Sequence, residues 1–478
     1  MAVNQQNFDT EQFERDDAVS VSVTINAPID PSDVSGGSTS GDVAQAAQLI
    51  EDYTAEGGGK LPIVYGEHII AGQELVRKFT AGVPDVLIAF IALGDGQGDL
   101  GQHGEWEGAL AVYYAGEALS VSPNGSTDGY RFYFGIISTG VASGPQQVDA
   151  FLTNVLAYSG TAYIAVRLSG DNATPQRPDR IKGRYKGRKV NIYDGSGNVT
   201  SYAYSTNPAY AAVDRIRAYY EHKFRDNISL AQRKLLDKVD WETLGSWATF
   251  NGTNISWDPG TGAVSIARFE FHGAFTDEAT LADALDRITA SCGAWWQDDG
   301  EKIMFLSPAE RAPVHHFNES NIVGAPHAEP RDLRVQPNVF VAEYRDYDDT
   351  YLGIASTPPV RNLDLIKQVG EIKTTRSVTN MKQSQAQRLA ARWKRIETDN
   401  PVICTLVGDE SSIDLLPGDF VMVSHPVLDW NSQLCLVQSI TLTSGEDGVD
   451  TCEFTLQRID TALYSDLDHG PRQGAIAP

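Results

Sequence analysis

The sequence predicts a β-dominated α+β protein of several domains. Three observations carry this. The chain has 478 residues, and at roughly 150 residues per domain that corresponds to about three domains. Apolar runs of strand length, bounded by glycine and proline turns, recur along most of it. Only a few stretches repeat apolar residues at helical spacing. Hydrophobic residues make up 41% and charged residues 21%, a composition that fills several packed cores.

Lys plus Arg number 38 and Asp plus Glu 63, for a formal charge of −25. Duplex DNA, with one negative charge per roughly 1.7 Å of axis, is repelled by such a surface. The charge favours solubility and says nothing about fold. The opening MAVNQQNFDTEQFERDD is polar and acidic, where a secretory signal is basic and then apolar. No apolar run approaches the length needed to span a bilayer, about 20 residues. The chain therefore reads as made in a cytosol and not inserted in a membrane. The cysteines Cys292, Cys404, Cys435 and Cys452 lack CxxC spacing, so a zinc or redox motif is not indicated. A hairpin turn centred near Glu446 sets Cys452 opposite Ile440, and alternation puts Cys435 on the other face. All four read as buried thiols.

Taken in order, residues 1–60 form an arm. Val19, Val21, Val23 and Ile25 alternate with Ser20, Ser22 and Thr24, a strand with one apolar face. The Ser- and Gly-rich stretch Ser35–Gly41 is a linker by composition. Val43, Ala46, Ala47, Ile50 and Tyr53 then suit one side of a short helix, ended by Gly57–Gly59. A strand so separated from its core pairs elsewhere by sheet-edge addition, which makes its four apolar residues interface candidates. A loosely ordered terminus is the alternative.

Leu61–Gln73 reads as strand, Tyr-Gly break and strand, and Val86–Leu93 as a buried strand. Ala109–Tyr114, Tyr130–Gly135 and Ala162–Leu168 follow as further strands. Asn207 and Pro208 start a helix, as N-cap and first helical residue, with Ala209, Val213, Ile216 and Tyr220 on one stripe. A second helix spans 276–291, capped by Thr276 and stopped by Gly293. Asp299-Gly300 joins Trp295–Gln297 to Lys302–Leu306 as a hairpin. A third helix covers 383–397 with Ala386, Leu389, Ala390, Trp393 and Ile396 inward, and Arg388, Arg392, Lys394 and Arg395 pointing mostly elsewhere. The closing section is β, with Pro417 and Gly418 at the centre of a type II turn. No repeat of solenoid or propeller period is present.

Several motifs fail on chemistry. Gly96–Gly101 matches GxGxxG after a strand, but more glycines and another strand follow, leaving no helix N-terminus for a pyrophosphate. Gly57-Gly-Gly-Lys60 is followed by Leu61, where a phosphate loop needs Ser or Thr. Asp95 and Asp99 complete no calcium pattern. His315, His316 and His327 lack the fixed partners of a zinc site. HExxH and GxSxG are absent, and no carboxylate pair is selected for glycosidase work. No cofactor is indicated. The most distinctive charge pattern is basic: Arg177, Arg180, Lys182, Arg184, Lys186, Arg188 and Lys189, with Ile181, Tyr185 and Val190 interleaved. It reads as a solvated strand face, a protein interface or a nucleic-acid strip, and its residues from Arg180 to Lys189 are interface candidates. The Gly96 loop is a third candidate.

In order, these pieces resemble the tail-tip hub of long-tailed phages, the tip attachment protein J family. LPIVYGEHIIAGQ (61–73) is similar to its opening strand pair, and VLIAFIALGDGQGD (86–99) to the point where a peripheral domain is inserted. RYKGRKVNIYDG (184–195) and YSTNPAYAAVDRI (204–216) resemble the strand and helix start that follow. CGAWWQDDGEKIMFL (292–306) resembles its helix-to-hairpin step. VFVAEYRD (339–346) and LLPGDFVMVSH (415–425) resemble its late barrel strands. The resemblance covers roughly 61–460. It implies a trimer in which two β-barrel-like domains per subunit make a pseudo-hexameric ring, with two peripheral domains outside. The expected division is an arm and linker at 1–60, a first barrel domain at 61–92 plus 160–225, an inserted peripheral β domain at 93–159, a peripheral α+β domain at 226–330, a second barrel domain at 331–465, and a polar tail at 466–478. The implied role is structural and non-enzymatic, in the virion at the tail tip and assembled in the host cytoplasm. The implied partners are two further copies, the distal tail protein, the tape measure protein and a central fibre or tip protein. DNA is met only in passage and the host envelope indirectly. The chain stops without the further modules of the longest family members, so receptor recognition is expected to fall to a separate fibre or tip protein. A tail-associated wall or carbohydrate hydrolase is the alternative, and a carbohydrate-binding module with exposed tryptophans a third.

Overall fold

The computed structural model describes residues 21–24 and most of 61–460, leaving out 71, 81–85, 96–105, 115–116, 122–128, 135–160, 170–180, 225–226, 258–262, 276–279, 299, 310, 331, 333, 347–353, 400–401 and 445–449. The chain splits into two compact units. The larger includes Pro28–Glu310 and Leu333–Asp399, and the smaller Met1–Ala27, Arg311–Asp332 and Asn400–Asp460. The sequence division ran one barrel domain through 331–465; here 333–399 belongs with the larger unit.

The first described element, β1 (Val21–Thr24), is part of the smaller unit. The larger unit opens with β2 (Ile63–Tyr65), β3 (Glu67–Ile70) and β4 (Gln73–Thr80). Gly66 makes the break between the first two at φ +65. A Cβ there would stand 2.4 Å from the Phe271 carbonyl oxygen, so the turn requires glycine. Next come β5 (Val86–Asp95), β6 (Trp106–Tyr114), β7 (Glu117–Ala118), β8 (Ser120–Val121), β9 (Gly129–Phe134), β10 (Thr161–Ser169) and β11 (Ile181–Arg188). They form two sheets, ordered β4-β5-β10-β9-β8 and β3-β11-β6-β7. One apolar core that includes Leu87, Ile91, Val112, Ile164, Val166 and Tyr185 draws on both.

The hairpin β12 (Val190–Tyr193) and β13 (Val199–Ala203) leads to α1 (Pro208–Lys223). Asn207 caps α1 by accepting from the Ala209 N–H, with Pro208 in the first turn. Then come α2 (Ile228–Lys238), α3 (Trp241–Gly252), the hairpin β14 (Asn254–Trp257) and β15 (Val264–Ala267), and β16 (Gly273–Phe275), which pairs with β2. The next helix, α4 (Leu281–Ala290), starts later than its sequence pattern suggested. Thr280 and Asp283 close a capping box there, which satisfies two backbone donors reciprocally. Gly293 stops it at φ +64. The Asp-Gly hairpin forms as β17 (Trp295–Asp298) and β18 (Ile303–Leu306). Trp247 of α3 stacks on Phe305 of β18 at 4.9 Å and 5°, inside a core shared by α1, α3 and α4.

Past Arg311 the chain contributes β19 (His315–Phe317) and β20 (Ile322–Pro330) to the smaller unit. It returns to the larger unit for β21 (Val339–Asp346), β22 (Ile354–Ser356), β23 (Val360–Arg361), α5 (Leu363–Val369), β24 (Lys373–Met381) and α6 (Gln383–Lys394). A π-helical turn, Arg395–Asp399, ends this excursion. β21 is central, with β24 parallel on one side and β22 and β23 antiparallel on the other. The chain then completes the smaller unit with β25 (Val402–Gly408), β26 (Phe420–His425), β27 (Trp430–Ser444) and β28 (Asp450–Arg458).

The smaller unit's sheet runs β19-β26-β27-β28-β25-β20. Its two end strands are joined by the turn Asn318–Asn321, where Ile322 N–H donates to the Asn318 carbonyl, and this curls the sheet into a half-barrel around Phe317, Leu406, Val421, Val437, Phe454 and Leu456. Leu416–Asp419 is the expected turn. Gly418 takes φ +93, and the Asp419 carboxylate accepts from Leu416 N–H at 2.8 Å. The strand register departs from the sequence reading: Cys452 faces Leu442 and Cys435 faces Arg458. Cys452 thus pairs two residues away from its expected partner Ile440, and a bulge between Val437 and Ser439 shifts the ladder again. All four cysteines are nevertheless buried.

Candidate interaction surfaces

The basic run lies on β11. Alternation places Lys182, Arg184, Lys186 and Arg188 on one face, where much of their charge meets partners within the chain. Arg184 bonds Glu67 at 3.0 Å through both Nε and Nη2. Lys186 Nζ sits 5.2 Å from the centre of the Tyr204 ring. Arg188 is buried with its Nε 3.5 Å from Asp214, and Lys189 reaches Glu107 at 3.6 Å. Lys182 is exposed. Arg180 lies outside the described residues, as do Arg177 and the Gly96 loop.

Arg188 joins a buried network that sequence spacing did not reveal. Tyr65 donates to Asp214 Oδ2 at 2.6 Å. Arg217 donates to Asp214 Oδ1 at 2.5 Å and to Glu221 at 2.6 Å. Burial alone would raise the Asp214 pKa, but Arg188, Arg217 and the Tyr65 hydroxyl outweigh it and hold the carboxyl far below the usual range. Burial and the adjacent Asp214 charge push the Tyr65 phenol up. The network ties α1 to β2 and β11. Its one sequence signal is Asp214 on the inner side of an amphipathic helix.

A second polar cluster centres on Glu270 and α6. Gln385 accepts from the Glu270 N–H at 3.1 Å and donates to the Glu270 and Ser291 carbonyls, both at 2.8 Å. Arg388, read from the sequence as pointing away from the core, is buried. It donates to the Ser384 and Arg268 carbonyls and lies over the Phe269 ring. Arg392 donates to the Gly293 carbonyl at 2.6 Å. Three of these guanidinium nitrogens, Arg388 Nε and Nη2 and Arg392 Nη1, thus end on backbone oxygens. Nearby, Glu270 is held at about 2: burial raises it, but His272 and Lys382 overcome that. Burial pushes His68 down to about 4, aided by Arg345, Arg287 and His272 and opposed by its bond to the Ile69 carbonyl.

The histidines of the sequence cluster have separate partners. His315 meets Asn321, His316 meets Ser424, and His327 meets Glu329. Among the described residues, no group of three or more His, Cys, Asp or Glu is placed to hold a metal, and no helix is long and apolar enough to cross a membrane. Trp247 and Trp295 are buried and Trp241, Trp257, Trp296, Trp393 and Trp430 half-buried, so none of these seven presents a fully exposed platform.

Two strands lie at sheet edges. β1 pairs antiparallel with β27, from Val21↔Leu442 to Thr24↔Ser439. Val21 and Val23 thus stand in a strand, while Val19 and Ile25 lie outside the described residues. β24 is an edge of its sheet, with Lys373, Thr375 and Ser377 exposed.

No family model and no curated protein matches the sequence. Among solved structures, the fold is similar to that of a chain in the virion of a native gene transfer agent particle, with 14% identity over 90% of this chain and 96% of that one and a TM-score of 0.55. Also similar are the tail protein from Neisseria meningitidis MC58 (11% identity, 85% and 98% covered, TM-score 0.34) and the 43 kDa tail protein of prophage MuSo2 from Shewanella oneidensis (10% identity, 85% and 99% covered, TM-score 0.32). The class of fold is β-rich α+β. The fold itself is shared with the gene transfer agent chain over nearly the full length of both.

Proposed function

We propose that this chain is a structural hub at the distal tip of a phage-type tail, related to the tip attachment protein J family. Three copies close into a ring through their barrel-like domains. The ring joins the tail tube and distal tail protein to a central fibre or tip, and frames part of the conduit for genome ejection. The observation that carries this is the shared fold with a gene transfer agent virion chain over 90% of the sequence. The order of the sequence motifs supports it independently. The net charge of −25 is compatible with DNA in passage, because a negative wall offers few ion pairs to strip as DNA moves. Binding to further copies, the distal tail protein and the tape measure protein is the work of surface shape, with no bond made or broken. Imaging of intact particles tests this. Three copies in a ring at the tail's end are expected. A monomer that lyses peptidoglycan or polysaccharide in zymography, with activity lost on changing one carboxylate, would replace the hub reading by the hydrolase one.

A further inference from the structure

β27 is 15 residues long, and its neighbour β26 covers only its first part, from Trp430 to Leu436. The Leu416–Asp419 turn takes up the next position, where Gly418 N–H donates to the Val437 carbonyl and Val437 N–H to that of Asp419. Past the bulge, β28 holds one edge of β27. On the other edge, Ser439–Leu442 is filled by β1. Left open, this segment would present unpaired N–H and C=O groups to any passing strand.

The donor is tethered in an unusual way. β1 packs in the smaller unit, yet the chain continues from it into the larger one, and the next described strand begins at Ile63. At roughly 3.3–3.6 Å per residue the stretch 25–62 reaches on the order of 100 Å when extended. The covalent link therefore does not dictate whose edge β1 occupies. A lone chain fills Ser439–Leu442 with its own arm; beside a second copy, the same four-residue ladder is available on the neighbour. The backbone hydrogen bonds are identical, which is the condition for exchange between copies at little cost.

We infer that Ser439–Leu442 is a strand-acceptor edge whose donor, in an assembled ring, is the Val21–Thr24 strand of a neighbouring copy of this chain. The inference rests on the ring proposed above. Because exchanged and self-paired arms make the same bonds, exchange slows dissociation of the ring more than it strengthens association. The alternating Val-Ser pattern fixes the register, since a one-residue slip turns the apolar side chains to the opposite face.

The test uses the full chain carrying Val23→Cys with Ile440→Cys, or Ser22→Cys with Thr441→Cys. Both pairs are opposed in the ladder, and opposed Cβ atoms lie about 4.5–5.5 Å apart. The native cysteines are buried, and single substitutions serve as controls. After mild oxidation, thiol blocking and non-reducing electrophoresis, disulfides between chains are expected, giving covalent dimers and trimers. Light scattering on the same sample reads the assembly separately. A trimer whose disulfides lie only within chains overturns the exchange and leaves the hub reading standing. A monomer overturns both. A trimer with no crosslink from either pair overturns the acceptor edge itself.

Discussion

Gln385 holds both backbone groups of Glu270. Its side-chain oxygen accepts from the Glu270 N–H at 3.1 Å, and its nitrogen donates to the Glu270 carbonyl at 2.8 Å. A side-chain amide on α6 thus takes the place of a neighbouring strand for a residue outside any sheet ladder. The same nitrogen also reaches Ser291 beyond α4. Replacing Gln385 by Ala strands these buried groups and is expected to cost about 3 kcal/mol, since each unsatisfied buried group costs roughly 1–3 kcal/mol. Chemical denaturation followed by tryptophan fluorescence reads this loss. Gln385→Glu is expected to be no better, because a carboxylate then faces two carbonyls.

Asp214→Asn removes the buried carboxylate that Arg188 and Arg217 share, leaving Arg217 with Glu221. Removing one partner of a buried pair costs about 3–5 kcal/mol. Tyr65→Phe removes one hydrogen bond to the carboxylate and is expected to cost about 1.5–3 kcal/mol. Thermal unfolding of both variants should rank Asp214→Asn as the more damaging.

His68 predicts an acid-side loss of stability. Its folded pKa of about 4 lies below the unfolded value of about 6.5. Between the two, the unfolded chain binds a proton that the folded chain refuses, so stability falls as pH drops from about 6.5 to about 4 and levels off below. At 1.36 kcal/mol per pKa unit, the full loss is about 3 kcal/mol. Glu270, held at about 2, acts in a lower window; its stabilisation is present above the unfolded value of about 4.3 and is lost as pH falls towards 2. Unfolding curves of His68→Gln between pH 4 and 6.5 should therefore flatten, with the lower window unchanged.

Gly66 and Gly300 separate conformational strain from collision. Both have positive φ, but a Cβ at Gly66 meets the Phe271 carbonyl at 2.4 Å while one at Gly300 meets nothing within 4 Å. Gly300→Ala is expected to cost about 1 kcal/mol, the left-handed penalty alone. Gly66→Ala should exceed about 3 kcal/mol and lower soluble yield. Paired melting curves decide it.

The thiols should be inert in the native protein. Burial pushes Cys292 up to about 12 and Cys404 up to about 11. With iodoacetamide at pH 8, mass spectrometry is expected to find none of the four modified under native conditions and all four in denaturant. Modification of Cys404 in the folded state would place it outside the half-barrel core.

What was legible in the sequence was local chemistry. Asn207-Pro208 and Leu416–Asp419 each encode a backbone geometry within a few residues and formed as read, and the strands on either side of the Asp-Gly signal pair as expected. The partners of charged groups were not legible. Arg388 and Arg184 find theirs 120 and 117 residues away in sequence, and no helical or strand period encodes such a meeting. The register of β27 was missed at both ends: Cys452 faces Leu442 where the sequence pattern sets Ile440, and the bulge between Val437 and Ser439, which periodicity assumes absent, moves the Cys435 end. Of the interface candidates, the β1 segment was visible because alternation marks a strand, while its acceptor edge became visible only with the bulged ladder.

The half-barrel is sewn from separated stretches of chain. β20 runs beside β25 and β19 beside β26, with the whole β21-to-α6 excursion between them. On the ribosome, the earlier pair must therefore wait, exposed, until the later strands have emerged. Closure of this module waits for its last strands, and a polypeptide released before Phe420 lacks the partners of β19 and β27.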